Sequence, residues 1–133
     1  MPLPASDLSR ARTVLVVEDE AQICALITDY VEAEGFATRC VQTDQDAYRA
    51  LEHDGAYACM IIDVNLGTGT TGYDVARFAR QIDGALPIIF VSGQTSPESF
   101  HKNGVPGSLF LPKPFSSDEL LARLNMLVGD NDD

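Results

Sequence analysis

Ala58-Cys59-Met60-Ile61-Ile62-Asp63-Val64-Asn65-Leu66 is an apolar run interrupted by a single carboxylate. A continuous apolar segment with paired isoleucines reads as a strand covered on both faces, as in a parallel sheet. Asp63 falls where such a strand leaves the sheet. In open α/β folds, ligands bind in the crevice beyond the carboxyl ends of the strands. An acid at that place points to chemistry; the plainer alternative is a solvated Asp opening a loop.

Upstream of this run, Thr13–Val17 reads as a short buried strand, followed at once by Glu18-Asp19-Glu20. Those acids either belong to a site or cap the next helix. Ile23, Leu26, Ile27, Tyr30 and Val31 recur at helical spacing, and Gly35 stops the stripe. Phe36–Val41 is a weaker strand. Thr43 or Asp44 opens a helix with Ala47, Ala50 and Leu51 inward, ending near Gly55.

Downstream, Gly67-Thr-Gly-Thr-Thr-Gly72 spells G-x-G-x-x-G between a strand and a helix. A dinucleotide site also wants an acid at the end of the next strand to hold the ribose. That strand, Pro87–Val91, leads to Ser92, so the glycines read as turn residues. Between them lies a helix carrying Val75, Phe78, Ala79 and Ile82, ended by Gly84. The polar, Pro-broken stretch 95–104 predicts a short or mobile helix. Ser108–Leu111 is a last strand, leading into Pro112-Lys113-Pro114-Phe115. Ser116 or Ser117 then starts a helix with Leu120, Leu121, Leu124, Leu127 and Val128 inward. Five strands alternating with about five helices predict an α/β fold with a doubly wound, five-stranded parallel sheet.

Composition limits the function classes. The 133 residues, 45% hydrophobic, suit one compact domain, expected over 12–128. Residues 1–11 read as a flexible leader and 129–133 as an acidic flexible tail. No apolar run approaches the roughly 20 residues that span a bilayer, and the start does not resemble a secretory signal. Membrane partners are therefore not expected. The net charge of −11 argues against a direct nucleic-acid surface, which needs a basic stripe. Cys24, Cys40 and Cys59 have no metal-like spacing and each lies in an apolar segment, so they read as buried, reduced and cytosolic. His53 and His101 are isolated and carry no metal or catalytic pattern.

Right-handed crossovers bring the strand ends to one edge of the sheet. Glu18 and Asp19, Asp63, Ser92 and Lys113 would then converge. Three carboxylates there repel and raise one another's pKa unless a cation neutralises them. Hard oxygen ligands suit Mg2+, which also accompanies phosphate. A lysine and a hydroxyl complete a site for a transferred phosphoryl group, with Asp63 as the nucleophile.

This constellation resembles the receiver domain of two-component response regulators, over nearly the whole chain. Val-Val-Glu18-Asp19 is similar to the family's acidic pair, Ile-Ile-Asp63-Val-Asn-Leu to its phosphoacceptor strand, and Lys113-Pro114-Phe115 to its lysine motif. The resemblance implies a flavodoxin-like (βα)5 fold and a cis Lys113-Pro114 peptide. It also implies Mg2+ held by Glu18, Asp19, Asp63 and the Asn65 backbone carbonyl. Asp63 is then the phosphoacceptor, Lys113 and Ser92 bind phosphoryl oxygens, and Gly93 leaves room for the phosphodonor. Phe110 falls at the aromatic switch position; it also reads as a plain core aromatic. The implied partners are a sensor histidine kinase or a histidine phosphotransfer protein, and a separate downstream effector, in the cytoplasm. Such a domain is a phosphorelay switch and not an enzyme beyond its own phosphorylation and autodephosphorylation. The sequence departs from the family in Glu18 for the usual Asp, in a longer 67–72 loop, and in Phe110 for the frequent Tyr. One alternative is a degenerate receiver that binds partners without phosphorylation. Another, an aspartyl-nucleophile phosphatase, usually wants an acid two residues after the nucleophile, where Asn65 stands.

Overall fold

The computed structural model describes residues 12–54, 56–67, 71–94 and 96–129. The expected leader, most of the expected tail, Gly55 and the middle of the 67–72 loop lie outside the described residues. The elements run β1 (Thr13–Val17), α1 (Ala21–Glu32), β2 (Ala37–Val41), α2 (Asp44–Asp54), β3 (Cys59–Asp63) and α3 (Gly72–Ile82). They continue with β4 (Ile88–Ser92), α4 (Pro97–Asn103), β5 (Leu109–Pro112) and α5 (Ser117–Val128).

The strands form one parallel sheet in the order β2-β1-β3-β4-β5. The order turns back between β1 and β3, which opens a crevice at their carboxyl ends. The alternation of strand side chains divides the core in two. Val14 and Val16 of β1 face one side, with Ile61 of β3, Ile27 and Val31 of α1, and Leu120 and Leu124 of α5. Leu15 and Val17 face the other, with Met60 and Ile62, Ala47 and Leu51 of α2, and Val75 and Ala79 of α3. Both faces of β3 and β4 are therefore covered, and every residue of these strands is buried. Each fully buried Leu or Ile contributes about 1.5–3 kcal/mol, so these two strands contribute heavily to the stability of the core.

Local chemistry sets the helix starts. Thr71 and Ser116 each make a reciprocal capping box, with Asp74 and Glu119. Thr43 Oγ1 accepts the Asp46 N–H at 3.0 Å, so Thr43 caps α2. Helix α4 has seven residues, none buried, as the broken polar stretch predicts. Two expected core positions lie outside the core: Leu26 is 37% exposed and Ile82 48%. Tyr73 and Ala76 take part in burying α3 instead.

The cysteine expectation needs a correction. Cys24 and Cys40 are joined in a disulfide, with Cα atoms 6.3 Å apart, and only Cys59 is free and buried. Cys40 is exposed on the edge strand. An apolar segment does not tell which face of a strand a residue occupies, and here the face turns to α1 at the rim of the sheet.

Candidate functional site

Glu18 follows β1 directly, and its N–H donates to the Val41 carbonyl at 3.0 Å. Its side chain is fully buried. Burial pushes the Glu18 carboxyl up to about 7; Lys113 pulls against that rise and the nearby Asp63 charge adds to it. Glu20, at the N-cap of α1, makes no side-chain capping bond, and its N–H donates to Glu18 Oε2 at 3.2 Å. The acidic cluster therefore turns toward the crevice and does not cap the helix.

Asp63 ends β3 and is 4% exposed. Its Oδ1 accepts the Asn65 N–H at 3.0 Å, and Oδ2 lies 3.2 Å from Lys113 Nζ. The chain closes tightly behind it. Gly72 N–H donates to the Val64 carbonyl at 2.8 Å, and a Cβ on Gly72 would stand 2.3 Å from the Asp63 carbonyl oxygen. Only glycine fits there. On the other side Gly67 takes φ +86, a left-handed conformation that suits glycine.

Ser92 ends β4 and is buried; its Oγ accepts the Asn65 Nδ2 amide and the Gln94 N–H, each at 3.1 Å. Lys113 follows β5, with its N–H on the Ser92 carbonyl at 2.8 Å and a cis peptide to Pro114. Its ammonium stands 2.8 Å from Glu18 Oε1. Burial draws the Lys113 pKa down, but Glu18 and Asp63 outweigh it, so the net shift is upward and the ammonium stays charged. Phe110 is half-buried and packs against the core on the α2–α3 side of the sheet. It stacks on Phe100 at 5.4 Å, and Phe100 meets Phe90 at 5.9 Å.

The strand ends border a cleft of about 660 Å³; Glu18 and Ser92 are buried and do not line it, and Phe110 lies outside its lining. Asp19, Asp63, Asn65, Gly93 and Lys113 line it, with Glu20, which the sequence left open between a site and a helix cap, and with Gly67, Thr71 and Gln94, which sequence reasoning did not assign to a site. Gln94 had one faint signal, its place two residues past a strand-end hydroxyl. Neither histidine lines the cleft. One carboxylate oxygen each from Glu18, Asp19 and Asp63 lies within 4.8 Å of the others. Glu18 Oε1 is buried and, beyond the ammonium, no hydrogen-bond partner reaches it among the described residues. Hard oxygens of three carboxylates crowded at one point, with a single ammonium among them, fit a small divalent cation.

Comparison with known proteins agrees with this geometry. The response regulator receiver domain family matches residues 14–125. The uncharacterized transcriptional regulatory protein YkoG of Bacillus subtilis is 29% identical over 119 residues, covering 89% of this chain and 51% of that protein. The transcriptional regulatory protein TctD of Salmonella typhimurium is 30% identical over 116 residues, covering 86% of this chain and 51% of TctD. The chain thus spans about half the length of these curated relatives. The crystal structure of a response regulator receiver protein from Sinorhizobium medicae superposes with a TM-score of 0.83 at 30% identity, covering 89% of this chain and 94% of that one.

Proposed function

This chain belongs to the response regulator receiver domain family, and on that premise we propose that it is a phosphoacceptor switch with Asp63 as the acceptor. The observation that carries the reading is the pairing at the strand ends. Asp63 Oδ2 lies 3.2 Å from the Lys113 ammonium, and Glu18 and Asp19 offer oxygens within 4.8 Å of its own.

The phosphodonor is a phosphohistidine on a sensor histidine kinase or a histidine phosphotransfer protein. An Asp63 carboxylate oxygen attacks phosphorus; the new O–P bond forms as the P–N bond breaks, and the imidazole leaves with the electron pair. Asn65 N–H and Lys113 hold the carboxylate in place for that attack. Lys113 then pairs with the phosphoryl oxygens, and the Ser92 hydroxyl, fixed by Asn65 and Gln94, donates to one of them. Gly93 carries no side chain to obstruct the donor. Glu18, Asp19, Asp63 and the Asn65 carbonyl would hold Mg2+, which supplies positive charge against the phosphoryl oxygens when bound.

A new dianionic group at the sheet edge draws Ser92 and Lys113 inward. The segment after β4 and the Phe110–Phe100 stack repack, and the altered face selects a separate effector protein. With Phe110 in place of Tyr, this response works through packing alone. The switch works in the cytoplasm, on proteins and not on nucleic acid, as the charge of −11 favours. Its catalysis is confined to its own phosphorylation and dephosphorylation.

Acetyl phosphate with Mg2+, followed by intact-mass measurement, tests the reading. A gain of about 80 Da that needs Mg2+ and is absent from Asp63→Asn supports it. No adduct from acetyl phosphate, together with no response of Ser92, Phe110 and Lys113 NMR signals to beryllofluoride, overturns it. The domain would then be an interaction module that works without phosphorylation.

A further inference from the structure

We infer that Cys24 and Cys40 form a reversible thiol–disulfide site that closes by exchange with a small disulfide of the glutathione type. The inference does not rest on the phosphoacceptor reading.

The seam between α1 and β2 is unlike the rest of the core. Cys24, Thr28 and Glu32 lie four residues apart along one stripe of α1. Cys24 bonds Cys40, Thr28 Oγ1 stands 3.7 Å from Cys40 Sγ, and Glu32 accepts the Thr38 hydroxyl at 2.8 Å. Sulfur and polar groups therefore join the helix to an edge strand with three of its five residues exposed. The Cα separation of 6.3 Å lies within the span that disulfides bridge without backbone movement.

Each half of the pair has its own anchor. Cys40 sits on a strand paired to β1, opposite Val16, and Cys24 on a helix held by the fully buried Ile27 and Val31. Opening the bond thus leaves both elements in place, which is the condition for a reversible device and not only a fixed staple.

Exposure assigns the order of attack. Cys40 is exposed, whereas Cys24 is only 3% exposed. The Cys40 thiolate attacks the small disulfide, forming a mixed disulfide and releasing one small thiolate. The Cys24 thiolate then attacks the Cys40 sulfur and releases the second. Two protein thiols lose two electrons and two protons, and one small disulfide becomes two thiols. For a chain that works in the cytoplasm, as proposed above, a disulfide is expected to be transient and redox-sensing, because the thiol pool there keeps thiols reduced. Cys59 is an internal control: it is fully buried, and burial pushes its thiol up to about 12, so it takes no part.

The full chain is equilibrated in a series of reduced and oxidised glutathione ratios, acid-quenched, alkylated in denaturant and weighed. The expected result is a two-state exchange between three alkylated thiols and one, with its midpoint inside the glutathione range. Cys59→Ser should keep the exchange and Cys40→Ser should abolish it, with circular dichroism showing both variants folded. Closing the bond should also raise Tm by at least about 5 °C. Three results would overturn the inference: no protected pair at any ratio; a glutathione adduct that stalls on Cys40; or a bond that opens only in denaturant, which would make it a fixed crosslink.

Discussion

Replacing Gly72 by alanine tests the steric argument at the back of the site. A Cβ there would stand 2.3 Å from the Asp63 carbonyl oxygen and 2.9 Å from Val64 Cα. Real Cβ contacts essentially stop at 3.0 Å, so backbone must retreat by about 0.7 Å. No flexible side chain can absorb that shift, because both contacts are main chain. Overpacking of this kind costs about 1–3 kcal/mol. The shift also strains the Gly72 N–H bond to Val64, at 2.8 Å, worth about 1 kcal/mol. A loss of about 2–4 kcal/mol is expected, a large share of the roughly 5–15 kcal/mol that holds such a domain. Urea titration measures it, with Gly84→Ala as the control. At Gly84 the nearest atom to a Cβ is the Arg80 carbonyl oxygen at 3.7 Å, an ordinary contact. Because the displaced oxygen belongs to Asp63, the Gly72 variant should also take up phosphoryl groups more slowly than the control. If the two alanine variants unfold within about 0.5 kcal/mol of each other, the close approach is not what holds this position as glycine.

Glu18→Gln isolates the buried acid. Its folded pKa, about 7, lies above the reference 4.5, so folding favours the protonated form. Without metal, the wild type should lose stability relative to Glu18→Gln as pH rises from about 4.5 through 7, by about 1–3 kcal/mol in all. Parallel urea midpoints at pH 4.5 and 8 read this difference, and a constant gap would contradict the burial argument. Mg2+ at a hundred times its Kd should stabilise the wild type by about 2.7 kcal/mol; Asp19→Asn should weaken the effect at the same Mg2+ concentration, as thermal melts with and without metal will tell. Thr71→Ala removes the α3 capping box and should cost about 1 kcal/mol in a urea titration; a neutral result would mean that solvent caps the helix equally well.

How legible the molecule was depended on the kind of information required. Buried strands announce themselves as apolar runs, so β1, β3 and β4 lie within a residue of their expected bounds. Asp63, Ser92 and Lys113 could be placed at strand ends because topology alone fixes which edge those ends share. Two things were beyond a one-dimensional pattern. The first was facing: Leu26 turns outward because a helix stripe is wider than the surface it covers, and Cys40 stands on an edge strand, exposed at the rim although its sulfur meets Cys24 of α1. The second was close approach. Gly72 looked like an ordinary turn glycine, and the carbonyl it shelters is nine residues away in sequence. Asn65 shows the same limit: its side chain reaches from the loop after β3 to Ser92 at the end of β4, a bond that no local spacing foretells.

The charge arrangement leads to a further test, because Lys113 and a divalent cation want the same oxygens. The ammonium stands 2.8 Å from Glu18 Oε1 and 3.2 Å from Asp63 Oδ2, and both residues belong to the acidic cluster. Bound cation and ammonium repel, so cation binding should loosen Lys113 from Glu18 and leave it available to a phosphoryl group. It follows that Lys113→Ala should bind Mg2+ more tightly than the wild type, not less. At an effective dielectric of 20, charges 4 Å apart interact by about 4 kcal/mol per unit pair. Even after solvent screening at the cleft mouth, a gain of at least about fivefold, or roughly 1 kcal/mol, is expected. Removing the lysine also takes away what holds the Glu18 pKa down, so a proton would compete with the metal at neutral pH. The titration therefore belongs at pH 8.5, by isothermal calorimetry, with Lys113→Arg as the charge-preserving control. Unchanged or weaker binding in Lys113→Ala would mean that the lysine organises the carboxylates for the cation more than it competes with it.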